Sequence, residues 1–114
     1  MKRKLIKKLE DEASKYVRKI GYCEMCGATR TLQMSHILPK GAYPSIRFHP
    51  LNVFCACYRC HIIIWHHNPK VAWEWALGYF SKERLEWIEQ QKQKPGKVPD
   101  EETVLEWWKE AGWE

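Results

Sequence analysis

Long apolar runs are missing from these 114 residues. No segment approaches the ~20 consecutive apolar residues that a membrane-crossing helix needs. The basic opening "MKRKLIKKLEDE" turns acidic at once and has no signal-peptide core, so a soluble, intracellular chain is expected. Internal repeats and low-complexity stretches are also missing, and the length suits a single domain over residues 1–114. An even cysteine count is missing too. Five cysteines without a secretory signal argue against a disulfide framework.

Acid is scarce in the first half. Residues 1–60 hold twelve Lys/Arg against four Asp/Glu, whereas residues 61–114 hold seven against ten, and the whole chain is +5. A basic half points toward a polyanionic partner, although ordinary solvated helices also carry such charge.

The element order reads as α+β with a very small sheet. Leu5, Leu9, Ala13, Tyr16, Val17 and Ile20 recur at helical spacing over residues 2–20, and Gly21 stops that helix. "RTLQMSHIL" and "LNVFCAC" read as strands joined by the proline-rich loop "PKGAYPSIRFHP". "YRCHIIIWHH" fits a helix best. Asn68 with Pro69, Ser81 and Asp100 then cap three helices, the first ending near Gly78. The core is expected over about residues 20–68, with a helical extension over about 69–114. Trp73, Trp87 and Trp108 fall at helical spacing with Leu77, Ile88 and Leu105, which reads as core. Trp107 and Trp108 are adjacent and cannot share one seam, so one of them is a candidate for an interface with a second subunit.

Four cysteines form two C-x-x-C pairs, Cys23/Cys26 and Cys57/Cys60, with thirty residues between them. Two such knuckles can complete a tetrahedral Cys₄ zinc site, whose ligands bind as thiolates. With every position filled, that zinc would be structural. The alternatives are four buried free thiols or a redox pair. Cys55 is left over and reads as a small apolar residue.

The combined pattern C-x-x-C … S-H-I-x-P … N-x-x-x-x-C-x-x-C-H resembles the HNH endonuclease family, whose core is a ββα-metal finger. "YVRKIGYCEMCG", "SHILPKGAYPSIRFHPLNV", "CACYRCH" and "LGYFSKERLEWIE" are similar to phage Rap/NinG-type recombination endonucleases, over about residues 5–90. This resemblance implies metal-dependent cleavage of DNA, duplex or branched, by a phage protein in the host cytoplasm. Carried over by motif position, His36 is the general base, Asn52 orients it by a hydrogen bond across the hairpin, and His61 binds one divalent cation, Mg²⁺ or Mn²⁺. One site cuts one strand, so a monomer nicks and a homodimer cuts both. Without these partners, His36 reads as strand packing, Asn52 as a turn residue and His61 as a neighbour of the zinc site.

The family usually has Asp or His before the catalytic histidine, and that residue holds the metal. Here it is Ser35, a poor ligand for a hard cation. Water held by Ser35, His66 or His67 about one turn beyond His61, or His49 could fill the position, with His66 preferred. Phosphate contacts are expected from Arg47, with Lys40 and Arg59 as weaker candidates. Lys2, Arg3, Lys4, Lys7, Lys8, Lys15, Arg18 and Lys19 make the first helix a backbone tracker or a merely solvated face. No recognition-helix signature implies sequence-specific cutting.

Overall fold

The computed structural model describes residues 2–113 as an α+β fold. In order, it holds α1 (Arg3–Arg18), β1 (Leu32–His36), β2 (Val53–Cys57), a π-helical turn over Arg59–Trp65, α2 (Pro69–Tyr79), α3 (Lys82–Gln91) and α4 (Glu101–Glu110). Short 3₁₀ turns at Pro44–Ile46 and Pro50–Asn52 punctuate the loop between the strands. No helix among the described residues is long and apolar enough to cross a membrane.

The strands form one antiparallel hairpin, with Leu32 opposite Cys57 and His36 opposite Val53. Successive side chains alternate between faces. Met34, His36, Val53 and Cys55 therefore share one face, and Ser35, Phe54 and Ala56 share the other. All five β2 residues are buried, so both faces must be covered. On the first face lie Leu9, Ala13 and Val17 of α1, with Val104 and Trp108 of α4. On the second lie Ala76 of α2, with Phe80 and Ile88. An isolated hairpin is marginal in water. Here the flanking helices stabilise it, each large apolar side chain contributing about 1.5–3 kcal/mol on burial.

The helix periodicity of residues 2–20 resolves into Arg3–Arg18, with Ile20 exposed. Gly21 adopts φ +86°, a left-handed conformation that a side chain resists, and this ends the helix. Ser81 and Asp100 cap as expected, accepting from Arg84 N at 3.1 Å and Thr103 N at 2.9 Å. Asn68 does not cap α2 through its side chain, and α2 runs through Gly78 to Tyr79. The second strand is shorter than expected because Pro50 starts a 3₁₀ turn that takes in Leu51 and Asn52.

Leu77 and Leu105 are exposed rather than core. Trp108 is buried and donates from Nε1 to Phe48 O at 2.8 Å. Trp107 packs within the chain against His49, ring centres 4.7 Å apart.

The helix expected over "YRCHIIIWHH" is a π-turn, with His66 N bonding His61 O at 3.2 Å, five residues back. The wider turn keeps Cys60 among the cysteines, sets Trp65 on Phe54 at 5.1 Å, and stacks residue i with i+5.

Candidate metal centre and active site

Cys23, Cys26, Cys57 and Cys60 converge, with all four ligand atoms within 4.8 Å of one another. Zn–S bonds of about 2.3 Å place tetrahedral sulfurs roughly 3.8 Å apart. Cys26 Sγ and Cys57 Sγ lie 3.7 Å apart, so the four thiols fit a zinc ion. Gly27, at φ +82°, closes the first knuckle by donating from N to Cys23 O at 2.8 Å. Burial works against ionisation of Cys23, but hydrogen bonds from the backbone N–H groups of Cys57, Cys26 and Met25 lower its thiol to about 7.

Glu24, inside the knuckle, ties it to β2. Its N donates to Cys55 O at 2.8 Å, and its Oε2 accepts from Cys55 N at 2.7 Å. Sequence reasoning passed over Glu24, because nothing in its spacing names the distant strand it bonds. Cys55 itself is fully buried, and burial pushes its thiol up to about 11, as a packing residue requires.

His36 ends β1. Arg47 O accepts from its Nε2 at 2.9 Å, and a carbonyl can only accept, so Nδ1 carries the ring's lone pair. Trp65 Nε1 donates to His36 O at 2.7 Å, fixing the backbone of the same residue. Burial lowers the ring to about 4, so it is neutral at pH 7.

Asn52 does not bond the His36 ring, contrary to the expected arrangement. It is wholly buried and clamps Leu38 instead: Oδ1 accepts from Leu38 N at 2.8 Å and Nδ2 donates to Leu38 O at 3.1 Å. Asn52 O also accepts from Ile37 N at 2.7 Å. These bonds prolong the hairpin past His36, so Asn52 acts on that residue through the backbone. Arg84 of α3 holds the same turn from outside, donating to Leu51 O at 2.9 Å and Val53 O at 2.6 Å. The reach from α3 to this turn is set by packing, and no local pattern marks Arg84.

His61 and His66 meet with ring centres 4.6 Å apart, a direct result of the π-turn. Gln33 Oε1 accepts from His61 Nδ1 at 2.7 Å, which leaves the lone pair of the neutral ring on Nε2. Burial, then the facing His66 and His36, lower His61 to about 4. Ser35 is fully buried on the opposite face, its Oγ without a hydrogen-bond partner, and it does not line the cavity. The strand alternation that presents His36 turns Ser35 away. His49 is also displaced from the ligand set. It packs between Trp87 and Trp107 with its ring tilted against both, and its Nδ1 accepts from Leu51 N at 3.1 Å.

A cavity of about 430 Å³ gathers Glu10, His36, Lys40, His61, Trp65 and His66. A neighbouring groove of about 300 Å³ shares Glu10, Met34 and His61 and extends to Arg18. Glu10, which no motif marked, reaches in from α1 and pairs with Lys40 Nζ at 2.6 Å and Arg47 Nη2 at 2.9 Å. Partial burial raises its carboxyl, but these two cations outweigh it and hold the group below its usual range. Arg59 is exposed, and both it and the largely buried Arg47 lie outside the cavity lining, Arg47 reaching the cavity only through its pair with Glu10. The basic residues of α1 are exposed, Lys7 pairing with Asp11 at 3.2 Å.

Searches against protein-family models, curated proteins and solved structures find no match to this chain.

Proposed function

We propose that this protein is a zinc-stapled HNH-type DNA endonuclease, with the hairpin and π-turn as its ββα-metal core. The observation that carries the reading is the His36–Arg47 bond, 2.9 Å from Nε2 to a carbonyl oxygen, in a side chain that lines a cavity beside two further imidazoles. It leaves a neutral ring with a free Nδ1, the form a general base needs.

In this reading His36 Nδ1 takes the proton from an attacking water. Asn52, Trp65 and Arg47 O hold His36 still, and Lys40 and Arg47 brace the phosphate oxygens. His61 Nε2 and His66 hold the divalent cation, which when bound polarises the scissile phosphate and stabilises the leaving oxygen. Among the described residues no third Cys, His, Asp or Glu joins this pair as a ready ligand group, which leaves room for water and phosphate oxygens. Two imidazoles shift the preference from Mg²⁺ toward Mn²⁺ or Ni²⁺. Branched or recombination-intermediate DNA is the substrate the sequence resemblance implies, and the exposed cations of α1 suit its phosphate backbone.

The test is cleavage of a plasmid and a synthetic four-way junction with Mg²⁺, Mn²⁺ or EDTA, with His36→Ala alongside. The reading expects metal-dependent cutting by the parent, loss of at least about 10²-fold in the variant, and preference for the junction. If no metal supports cutting, the protein is a zinc-stapled DNA-binding module instead; if His36→Ala cuts as well as the parent, His36 is not the base and this reading of the site fails. Equal cutting of junction and duplex points to a nonspecific nickase, such as one acting with a packaging terminase.

A further inference from the structure

Among the described residues Glu10 is the only acidic one lining the first cavity, and both of its oxygens are engaged. Oε1 takes the ammonium of Lys40 at 2.6 Å and Oε2 takes the guanidinium of Arg47 at 2.9 Å. The pair is not a loose surface contact: the Glu10 side chain is 26% exposed and that of Arg47 only 16%. Arg47 also supplies the carbonyl that holds His36, so the carboxylate sits next to the atoms proposed for chemistry.

A carboxylate with one cation on each oxygen presents the same pattern as the two non-bridging oxygens of a phosphodiester. A nucleic-acid backbone seated against His36 needs those cations, and a second anion cannot share them without strong repulsion. Glu10 also stands where the cavity meets the groove that runs along α1 toward Arg18. A strand following that groove must pass the carboxylate.

We infer that Glu10 is an internal stand-in for the substrate phosphate: it fills the Lys40–Arg47 site in the free protein, and a nucleic-acid phosphodiester binds by displacing it. This rests on the nuclease reading and adds to it a built-in competitor that weakens binding to any polyanion unable to engage both cations at once. The displaced carboxylate remains charged and swings toward solvent with α1 in place, because Leu9, Ala13 and Val17 anchor that helix independently of Glu10.

The experiment compares the full chain with Glu10→Gln and Glu10→Ala. Glutamine keeps the shape and removes the charge. Alanine is the best helix former, so α1 is retained, and circular dichroism and the melting temperature verify the fold. Binding of a fluorescein-labelled four-way junction is measured by anisotropy with no divalent cation added and no chelator, which leaves the structural zinc in place, and inorganic phosphate serves as a competitor. Both variants are expected to bind the junction roughly three- to tenfold tighter, since the two partly exposed ion pairs of Glu10 no longer compete. Phosphate is expected to displace the junction from them at lower concentration.

If the parent binds and cuts while folded variants bind equally or more weakly, Glu10 is only a brace for Arg47 and the inference is overturned, with the nuclease reading intact. If the parent neither binds nor cuts with any metal, the nuclease reading fails and the inference fails with it.

Discussion

The Nε2 of His36 and the carbonyl oxygen of Arg47 lie 2.9 Å apart, and this one bond selects the tautomer of the cavity's central imidazole. The ring's burial selects its charge, holding it neutral down to about pH 4. An imidazole buried in this way differs in its acid limb from an exposed one.

For cleavage at saturating metal, the proposed general base implies a rate that stays nearly level from pH 7 to pH 5 and falls toward pH 4. An unperturbed imidazole near ~6.5 would already have lost most of its rate at pH 5. Measuring kcat against pH distinguishes the two. A half-maximal point near 6.5 would remove His36 as the base or its burial as the cause.

Asn52→Ala leaves the buried N–H and C=O of Leu38 without their partners. The expected loss is about 2–4 kcal/mol, seen as a melting temperature lower by about 10 °C or more. Asn52→Asp is expected to melt lower still at pH 7, since it sets a buried carboxylate against Leu38 O. A variant melting within a degree of the parent contradicts the clamp.

The metal content separates the cysteines. One zinc per chain is expected, with Cys57→Ser losing it and the fold together. Cys55→Ala is expected to keep the full zinc content and to lose only about 1 kcal/mol of stability through its small cavity. Zinc retained by Cys57→Ser, or lost from Cys55→Ala, would reassign the ligand set.

Stability should fall as the solution is acidified. His36, His49 and His61 are each lowered to about 4 by burial, against an unfolded value near ~6.5. Between those values the unfolded chain binds more protons than the folded one, so unfolding gains as pH drops. The full stability is present above about 6.5 and is lost progressively as pH falls toward 4. His49 lies outside the cavity lining, so His49→Gln isolates its share: the dependence of unfolding free energy on pH, from urea titrations at pH 5 to 6.5, should become shallower by about one proton. An unchanged slope would show that His49 titrates alike in both states.

Much of the fold could be read locally. The caps at Ser81 and Asp100, the stop at Gly21 and the paired strands all follow from residue type and short spacing. Leu77 and Leu105 were misread because helical spacing names a face but not what covers it. His66 is preferred in the sequence although it stands five residues beyond His61, where an α-helix would set residue 65 beside it. The π-turn supplies the reason, since residue i+5 then stands beside residue i. Ser35 is a candidate to hold a metal-bound water from its place beside His36, yet the alternation of a strand turns neighbours to opposite faces.

By itself the amino-acid sequence determined the zinc-type knuckles, the basic first half and the amphipathic α1, while the roles expected of His36, Asn52 and His61 came from its resemblance to the HNH family. The first three depend on residue chemistry and on spacing along the chain, which a sequence states directly. Only the tertiary structure decided that Asn52 holds Leu38 rather than a ring, that Arg84 clamps the turn from α3, and that Glu10 pairs with Lys40 and Arg47. Each of those is a bond between elements more than ten residues apart. Such bonds depend on how the helices pack against the two faces of the hairpin, and no local period encodes that.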